Sequence, residues 1–431
     1  MIRTPTRVLR DLRSPLMRNA AYLSVNEGIG AVFGLVFWVL AARLLSAGEV
    51  GIGTAIIGVG VLLSAIAQFG FPTALIRYAP AAGLRTAAFV DTALLLGFGL
   101  SLAVSGVFLA GAALWAPGLA ASLATPAQGV LFLGFVAGWT VFVILDAALI
   151  GIGAAKRVLQ RGAVTNVLKL GLLVPFVLLA GTGLSIPASF GLALWCGTAI
   201  GILVVVRTNA FGRMRWRIDR GAAREMARFA AGNQTAVLLA SSVALLLPVI
   251  TLHAIGPEAA AFFYVAWQIS NLLNLLPASV QLSVLAEASR DERRMEEHTR
   301  TGLLWTYAVL APAALVGILL APFLLSAFHE SYATAAVLLQ LLLVNGLVQA
   351  FNGAYTTRLR VERRLAPLIA LNAGFVAAAI GGSYALMPRF GLTGVGVAIL
   401  AAQVGFAGFA VVGLWDYRRQ ARDETTPPRP T

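Results

Sequence analysis

A chain of 431 residues that is 59% hydrophobic and only 12% charged departs from water-soluble proteins, in which about a quarter of residues carry charge. Its mean hydropathy is +0.85, so most of its surface must face lipid rather than water. The net charge of +14 would suit a nucleic-acid partner, but the placement of the basic residues argues against one and for a membrane topology.

Apolar runs of about 20 residues are long enough to cross a hydrocarbon core as helices. A β-barrel would need alternating polar and apolar residues, and Ala31–Leu45 and Val397–Leu414 do not alternate. The expected fold is all-α and integral to the membrane. Twelve transmembrane helices are expected at 19–42, 51–76, 87–112, 129–151, 159–181, 184–206, 229–254, 260–286, 302–326, 333–356, 366–386 and 392–415. Under this alternation, 29 of the 32 Lys and Arg fall on one side, the turn Lys156–Arg161 among them. Only Arg43 and Arg389 fall on the other, and Lys169 lies inside a span. This is the positive-inside pattern, and it puts both termini in the cytoplasm. The basic stretch before Asn19 leads into a span too long for a signal-peptide core, so no cleaved leader is expected. Cys196 is the single cysteine and excludes an intramolecular disulfide.

Five segments follow: a basic N-terminus (1–18), a six-helix bundle (19–206), a basic linker (207–228), a second six-helix bundle (229–415) and a polar tail (416–431). The halves echo each other. Leu45-Ser46-Ala47-Gly48-Glu49 resembles Ile255-Gly256-Pro257-Glu258, and Ile186–Leu192 resembles Met387–Leu392. Six spans per half make the repeats parallel, related by a pseudo-two-fold axis along the membrane normal. Such repeats place a substrate path between the bundles and let the bundles rock about it. In the linker, Phe211, Met214, Trp216 and Ile218 interleave with Arg213, Arg215 and Arg217, which suits either an interfacial segment or an ordinary basic loop.

Ionisable groups within spans carry a cost that calls for a reason: a Lys at mid-helix costs about 2.5–3.5 kcal/mol on insertion scales. Lys169 lies deep in the fifth span, with Thr165 and Asn166 on its face. It either binds an anionic substrate in a cavity or pairs with a carboxylate for packing. Glu27, beside Asn26, is placed to couple a proton or sodium ion, or to neutralise a nearby cation. Asp91 and Asp146 sit about one turn inside the membrane and either share that role or reach the interface. Arg77 ends the second span, where a guanidinium fits a phosphate or anchors the helix. In the second half, Gln268, Asn271, Asn274 and Gln281 share one face, as do Asn345, Gln349, Asn352 and Thr356. Asn233, Gln234, Ser241 and Ser242 form a third group. Such rows suit a wet cavity that meets sugar hydroxyls, or interhelical hydrogen bonds. Pro248, Pro277 and Pro312 are expected to bend their helices.

The stretch from Val36 to Pro80, with Ala-Arg-Leu-Leu-Ser-x-x-Glu (42–49) and Gly70 followed by Leu75-Ile76-Arg77-Tyr78, resembles the opening of bacterial polysaccharide-export flippases. Gly256–Val280 is similar to the second-half counterpart. These belong to the multidrug/oligosaccharidyl-lipid/polysaccharide transporter superfamily. The resemblance implies alternating-access flipping of a polyprenyl-pyrophosphate-linked oligosaccharide across the bacterial inner membrane, in company with polysaccharide polymerase and glycosyltransferases. It carries over Arg77 as a site residue. Arg77, Lys169 and Asn166 are expected to meet the pyrophosphate, and the amide rows the glycan. Asn26, Glu27 and Asp146 are expected at an ion-coupling site. The same resemblance admits a cation-coupled multidrug exporter, whose substrates would favour an acidic cavity. A membrane enzyme acting on lipid-linked glycan would need acid–base groups in an outer loop, and Ala113–Gln128 has no ionisable residue. No P-loop sequence occurs, and no cofactor or metal constellation is expected.

Overall fold

The computed structural model describes residues 15–208, 210–212, 214–288, 295–362 and 364–425. Among the described residues the chain is all-helical, apart from an isolated bridge between Ala210 and Gly212. Among the described residues, nine stretches of helix are long and apolar enough to cross a membrane, beginning with Ala21–Leu44 and ending with Ala366–Gly413. Leu178, Leu179, Phe323 and Phe409 turn most of their surface outward. Apolar side chains on that scale have lipid as their natural solvent, and helices satisfy their own backbone groups there.

The contacts divide the chain into two compact units, 1–261 and 262–431. The first begins with α1 (Pro15–Leu44) and α2 (Ala47–Gln68), joined by a two-residue turn. Ser46 caps α2 by accepting a hydrogen bond from the Glu49 backbone at 3.3 Å. A left-handed turn at Phe69 and Gly70 leads into the short α3 (Phe71–Tyr78). α4 (Thr86–Trp115) is followed by the single-turn α5 (Pro117–Ala120) and by α6 (Pro126–Gly151), which starts with a reciprocal Thr125–Gln128 capping box. α7 (Ala155–Ala180) and α8 (Ser185–Thr208) complete the first half, and α9 (Arg220–Ala254) packs against α2 and α4. The packing order runs α1 on α7, α7 on α8, α8 on α6 and α6 on α4.

Glycines let these helices approach closely. A Cβ on Gly53 would lie 2.6 Å from the Ile186 side chain and 2.8 Å from the Gly183 carbonyl. Beside it, the Glu49 carboxylate accepts the Gly183 backbone N–H. The Glu49 of the opening motif therefore fastens the α7–α8 turn to α2.

The second unit takes in most of α10 (Pro257–Ala288), then α11 (Met295–Leu319), α12 (Ala321–Ser326), α13 (Ala336–Val361) and α14 (Leu365–Thr425). α14 is two helices joined at Gly391, whose φ of 55° and ψ of −137° lie outside the helical region. Gly382 meets Ala398, and Gly394 meets the Leu386 carbonyl. These nested contacts mean that the two arms fold back antiparallel, so the last candidate span holds two helices. Prolines sit inside α7, α9, α10, α11 and α14, at Pro175, Pro248, Pro277, Pro312 and Pro388.

The close approach at Gly53 makes a direct prediction. Gly53→Leu has no room and should abolish monodisperse folded protein in size-exclusion chromatography. Gly99→Leu, where nothing lies within 4 Å, should leave the elution profile unchanged.

Candidate functional site

Two buried cations of the first unit, Arg161 and Lys169, lie on one face of α7. Arg161 is 2% exposed, and its guanidinium lies 2.6 Å from the Asp146 carboxylate of α6. It also donates to the Phe142 carbonyl at 2.7 Å and lies 3.8 Å over the Phe142 ring. α8 makes space for it with a glycine: a Cβ on Gly201 would come within 2.9 Å of Arg161 Cδ. One residue on, Gly162 accepts the side chain of Asn26 from α1 in direct contact. Asn26 Oδ1 is buried with no hydrogen-bond partner among the described residues, and so are Nε and Nη1 of Arg161. Glu27 is exposed but close enough to act electrostatically on Asp146. The structure thus sets Asp146 on Arg161, Asn26 against the neighbouring Gly162 and Glu27 within electrostatic reach of Asp146, whereas the sequence had placed Arg161 in a basic loop.

Lys169 is two turns further along α7, roughly 12 Å at 1.5 Å per residue. Thr165 lies between them, bonded to the Arg161 carbonyl at 2.9 Å and in contact with Gly197 of α8. Lys169 is 8% exposed and its ammonium lies 5.1 Å from the centre of the Phe190 ring. Phe190 packs in turn on Phe37 at 4.8 Å and Trp139 at 6.3 Å. Among the described residues no carboxylate lies within ion-pair distance of Lys169. The carboxylate partner that packing alone would require is not among them. Its ammonium faces an aromatic ring. Asn166 is half-buried one turn before it. Arg77 does not join this cluster: it is exposed at the end of α3, 5.7 Å from the Tyr78 ring.

Asp91 has a different task from the one its depth suggests. It is buried, and one carboxylate oxygen accepts the backbone N–H groups of Arg215 and Trp216 at 2.7 and 3.0 Å. It is a clamp on the linker.

The amide rows of the second unit do not share one environment. On α10, Gln268, Asn271 and Asn274 are half-buried, and the Asn274 amide oxygen abuts Gly346 of α13. On α13, Asn345 and Asn352 are buried while Gln349 is exposed. Asn352 donates to the Gln403 carbonyl of α14 at 2.9 Å, a helix-to-helix bond. The side chains of Gln281, Asn233 and Gln234 lie outside the described residues. An apolar cavity of about 810 Å³ opens between the arms of α14, bounded by Tyr355, Phe375, Leu386 and Phe406. No group of His, Cys, Asp and Glu among the described residues is arranged to hold a metal ion.

Long apolar helices around a buried charged face define a multi-pass membrane protein. The chain belongs to the polysaccharide biosynthesis protein family, whose model matches residues 39–337. No curated protein matches it. Several solved transporters share its fold. The lipid II flippase MurJ in an inward closed conformation matches with a TM-score of 0.72 and 14% identity, over 91% of this chain and 87% of the other. An inward-facing multidrug resistance MATE family transporter of the MOP superfamily gives 0.67 and 16%, over 95% and 100%. A MOP-superfamily transporter from Pyrococcus furiosus, described by a reversed polarity of its binding pocket, gives 0.66 and 15%, over 96% of each chain. The fold is that of MOP-superfamily transporters.

The buried pair makes its own prediction. Arg161→Ala should lower stability by about 3–5 kcal/mol by stranding Asp146. The apolar double variant Arg161→Met with Asp146→Leu should recover most of that loss. Chemical unfolding in detergent reads both, and equal destabilisation by the single and double variants would contradict the pairing.

Proposed function

We propose that this protein flips a polyprenyl-pyrophosphate-linked oligosaccharide across the bacterial inner membrane, by alternating access, during polysaccharide biosynthesis. It does so with twelve crossings and cytoplasmic termini, arranged as the two bundles 19–206 and 229–415 with 207–228 between them. The observation that carries this reading is Lys169. It is buried within a helix long and apolar enough to cross a membrane, and no carboxylate among the described residues neutralises it. Contact with Phe190 returns about 0.5–2 kcal/mol, less than the insertion cost of about 2.5–3.5 kcal/mol. A charge retained at net cost is best explained by an anionic ligand, and a pyrophosphate supplies one. The family match to polysaccharide biosynthesis and the MurJ-like fold support a lipid-linked glycan as that ligand.

In the mechanism, Arg77 attracts the pyrophosphate at the exposed end of α3, and Lys169 with Asn166 receives it deeper in the bundle. The aromatic cover of Phe190, Phe37 and Trp139 parts to admit it. The half-buried amides Gln268, Asn271 and Asn274, with Gln281, Asn345, Gln349 and Asn352, meet sugar hydroxyls. The isoprenoid tail stays in lipid. Asn26, Glu27 and Asp146 form the coupling site: a proton or sodium ion that relieves Asp146 of Arg161 would loosen α6 from α7. Glycosyltransferases supply the substrate and a polymerase consumes it.

Lys169→Ala and Arg77→Ala should each reduce export about tenfold or more, the loss of one charge-assisted contact, while folded protein stays in the membrane. The readout is accumulation of lipid-linked oligosaccharide on the cytoplasmic side. Normal export from both variants would remove the pyrophosphate site, and drug sensitivity without glycan accumulation would favour an exporter.

A further inference from the structure

The linker between α8 and α9 is held as a strap across the end of α4. Phe211 is buried in the core formed by Phe71, Leu75, Phe89 and Leu149, and Met214 packs against it. Asp91 takes the N–H groups of Arg215 and Trp216, as described above. The neighbouring Thr92 hydroxyl accepts the Asp219 N–H at 2.9 Å, and the Asp219 carboxylate caps α9 through the Ala222 N–H at 2.7 Å. Trp216 has a φ of 52°, a left-handed conformation that costs a bulky residue energy. The clamp from Asp91 holds it there.

The consequence is a surface. With the backbone fixed from beneath, the side chains of Arg215, Trp216, Arg217 and Ile218 turn outward. Trp216 is 46% exposed and Ile218 51% exposed, and Arg215, Arg217 and Arg220 are exposed around them. The strap lies where α4 begins, α8 ends and α9 begins, at the polar end of membrane helices. Nearby acids are already engaged: Glu225 lies 3.8 Å from Arg85, and Asp219 and Asp91 bind backbone.

We infer that this strap is a binding site for anionic phospholipid headgroups, with Trp216 and Ile218 seated at the acyl boundary and the arginines on lipid phosphates. Trp favours that depth because its ring is apolar and its N–H is polar. Guanidinium groups grip phosphate in two places at once. A soluble anion would use the arginines but leave the exposed Trp216 and Ile218 without a partner, so the lipid is the better fit. The site is independent of the translocated substrate, because it needs only that the chain spans a bilayer. Asp91 is its positioning residue.

The test uses the full-length protein in phosphatidylcholine nanodiscs with brominated phosphatidylglycerol or brominated phosphatidylcholine at equal mole fraction. Tryptophan fluorescence should be quenched more by the phosphatidylglycerol, and Trp216→Phe should remove that excess. In Arg215→Ala with Arg217→Ala, the phosphatidylglycerol required should rise about fivefold per arginine at low salt. All three substitutions change exposed side chains, and an unchanged melting temperature verifies the fold. Equal quenching by the two lipids would overturn the site. So would an excess that survives in Trp216→Phe, an unaltered lipid requirement in the arginine pair, or loss of the excess to inorganic phosphate at matched ionic strength.

Discussion

A guanidinium in the apolar layer of a membrane must be matched by a carboxylate, by hydrogen bonds, or by both, because bare charge there costs several kcal/mol. In this protein Arg161 meets that requirement with Asp146, the Phe142 carbonyl and the Phe142 ring. The same requirement shapes the helices around it. Gly201 on α8 is small because Arg161 fills the space beside it, and Gly162 and Gly197 admit Asn26 and Thr165. The junction of α1, α6, α7 and α8 is therefore built on the Arg161–Asp146 ion pair as well as on apolar packing.

That pairing gives Lys169 its significance. Since Asp146 is committed to Arg161, the positive charge two turns away has no claim on it. What remains is a lysine under an aromatic cover, on the face of α7 that also carries Arg161 and Thr165. Arg161 Nε and Nη1 and Asn26 Oδ1 are further buried polar atoms without hydrogen-bond partners among the described residues. In the alternating-access mechanism proposed above, the paired charge is the group that an ion would release and the unpaired charge the group that an anion would occupy.

Much of the fold was legible in hydropathy. Runs of about 20 apolar residues gave helices long and apolar enough to cross a membrane. The antiparallel turn at Gly391 fell within 387–391, the gap expected between the spans 366–386 and 392–415. The site was legible in part. Lys169 stood out because a charge inside an apolar run is visible in one dimension. Arg161 did not, because a basic residue one turn into a helix reads as loop until the facing Asp146 is known. Asp91 showed the converse: its depth was readable, but its bond to the linker backbone depends on a chain segment 124 residues away. Periodicity placed the amides on shared faces without saying what each face meets, so Asn352 proved to bond Gln403 while Gln349 is exposed.

The proposal that Lys169 serves an anion in transit requires water and solutes to reach it in some state of the cycle. Thiol accessibility measures this directly. In a Cys196→Ala background, Lys169→Cys should react with a membrane-impermeant anionic thiosulfonate in vesicles, and the lipid-linked substrate should slow the reaction. A thiol at 169 that stays unreactive under turnover conditions, while a cysteine at exposed Arg77 reacts, would contradict the account.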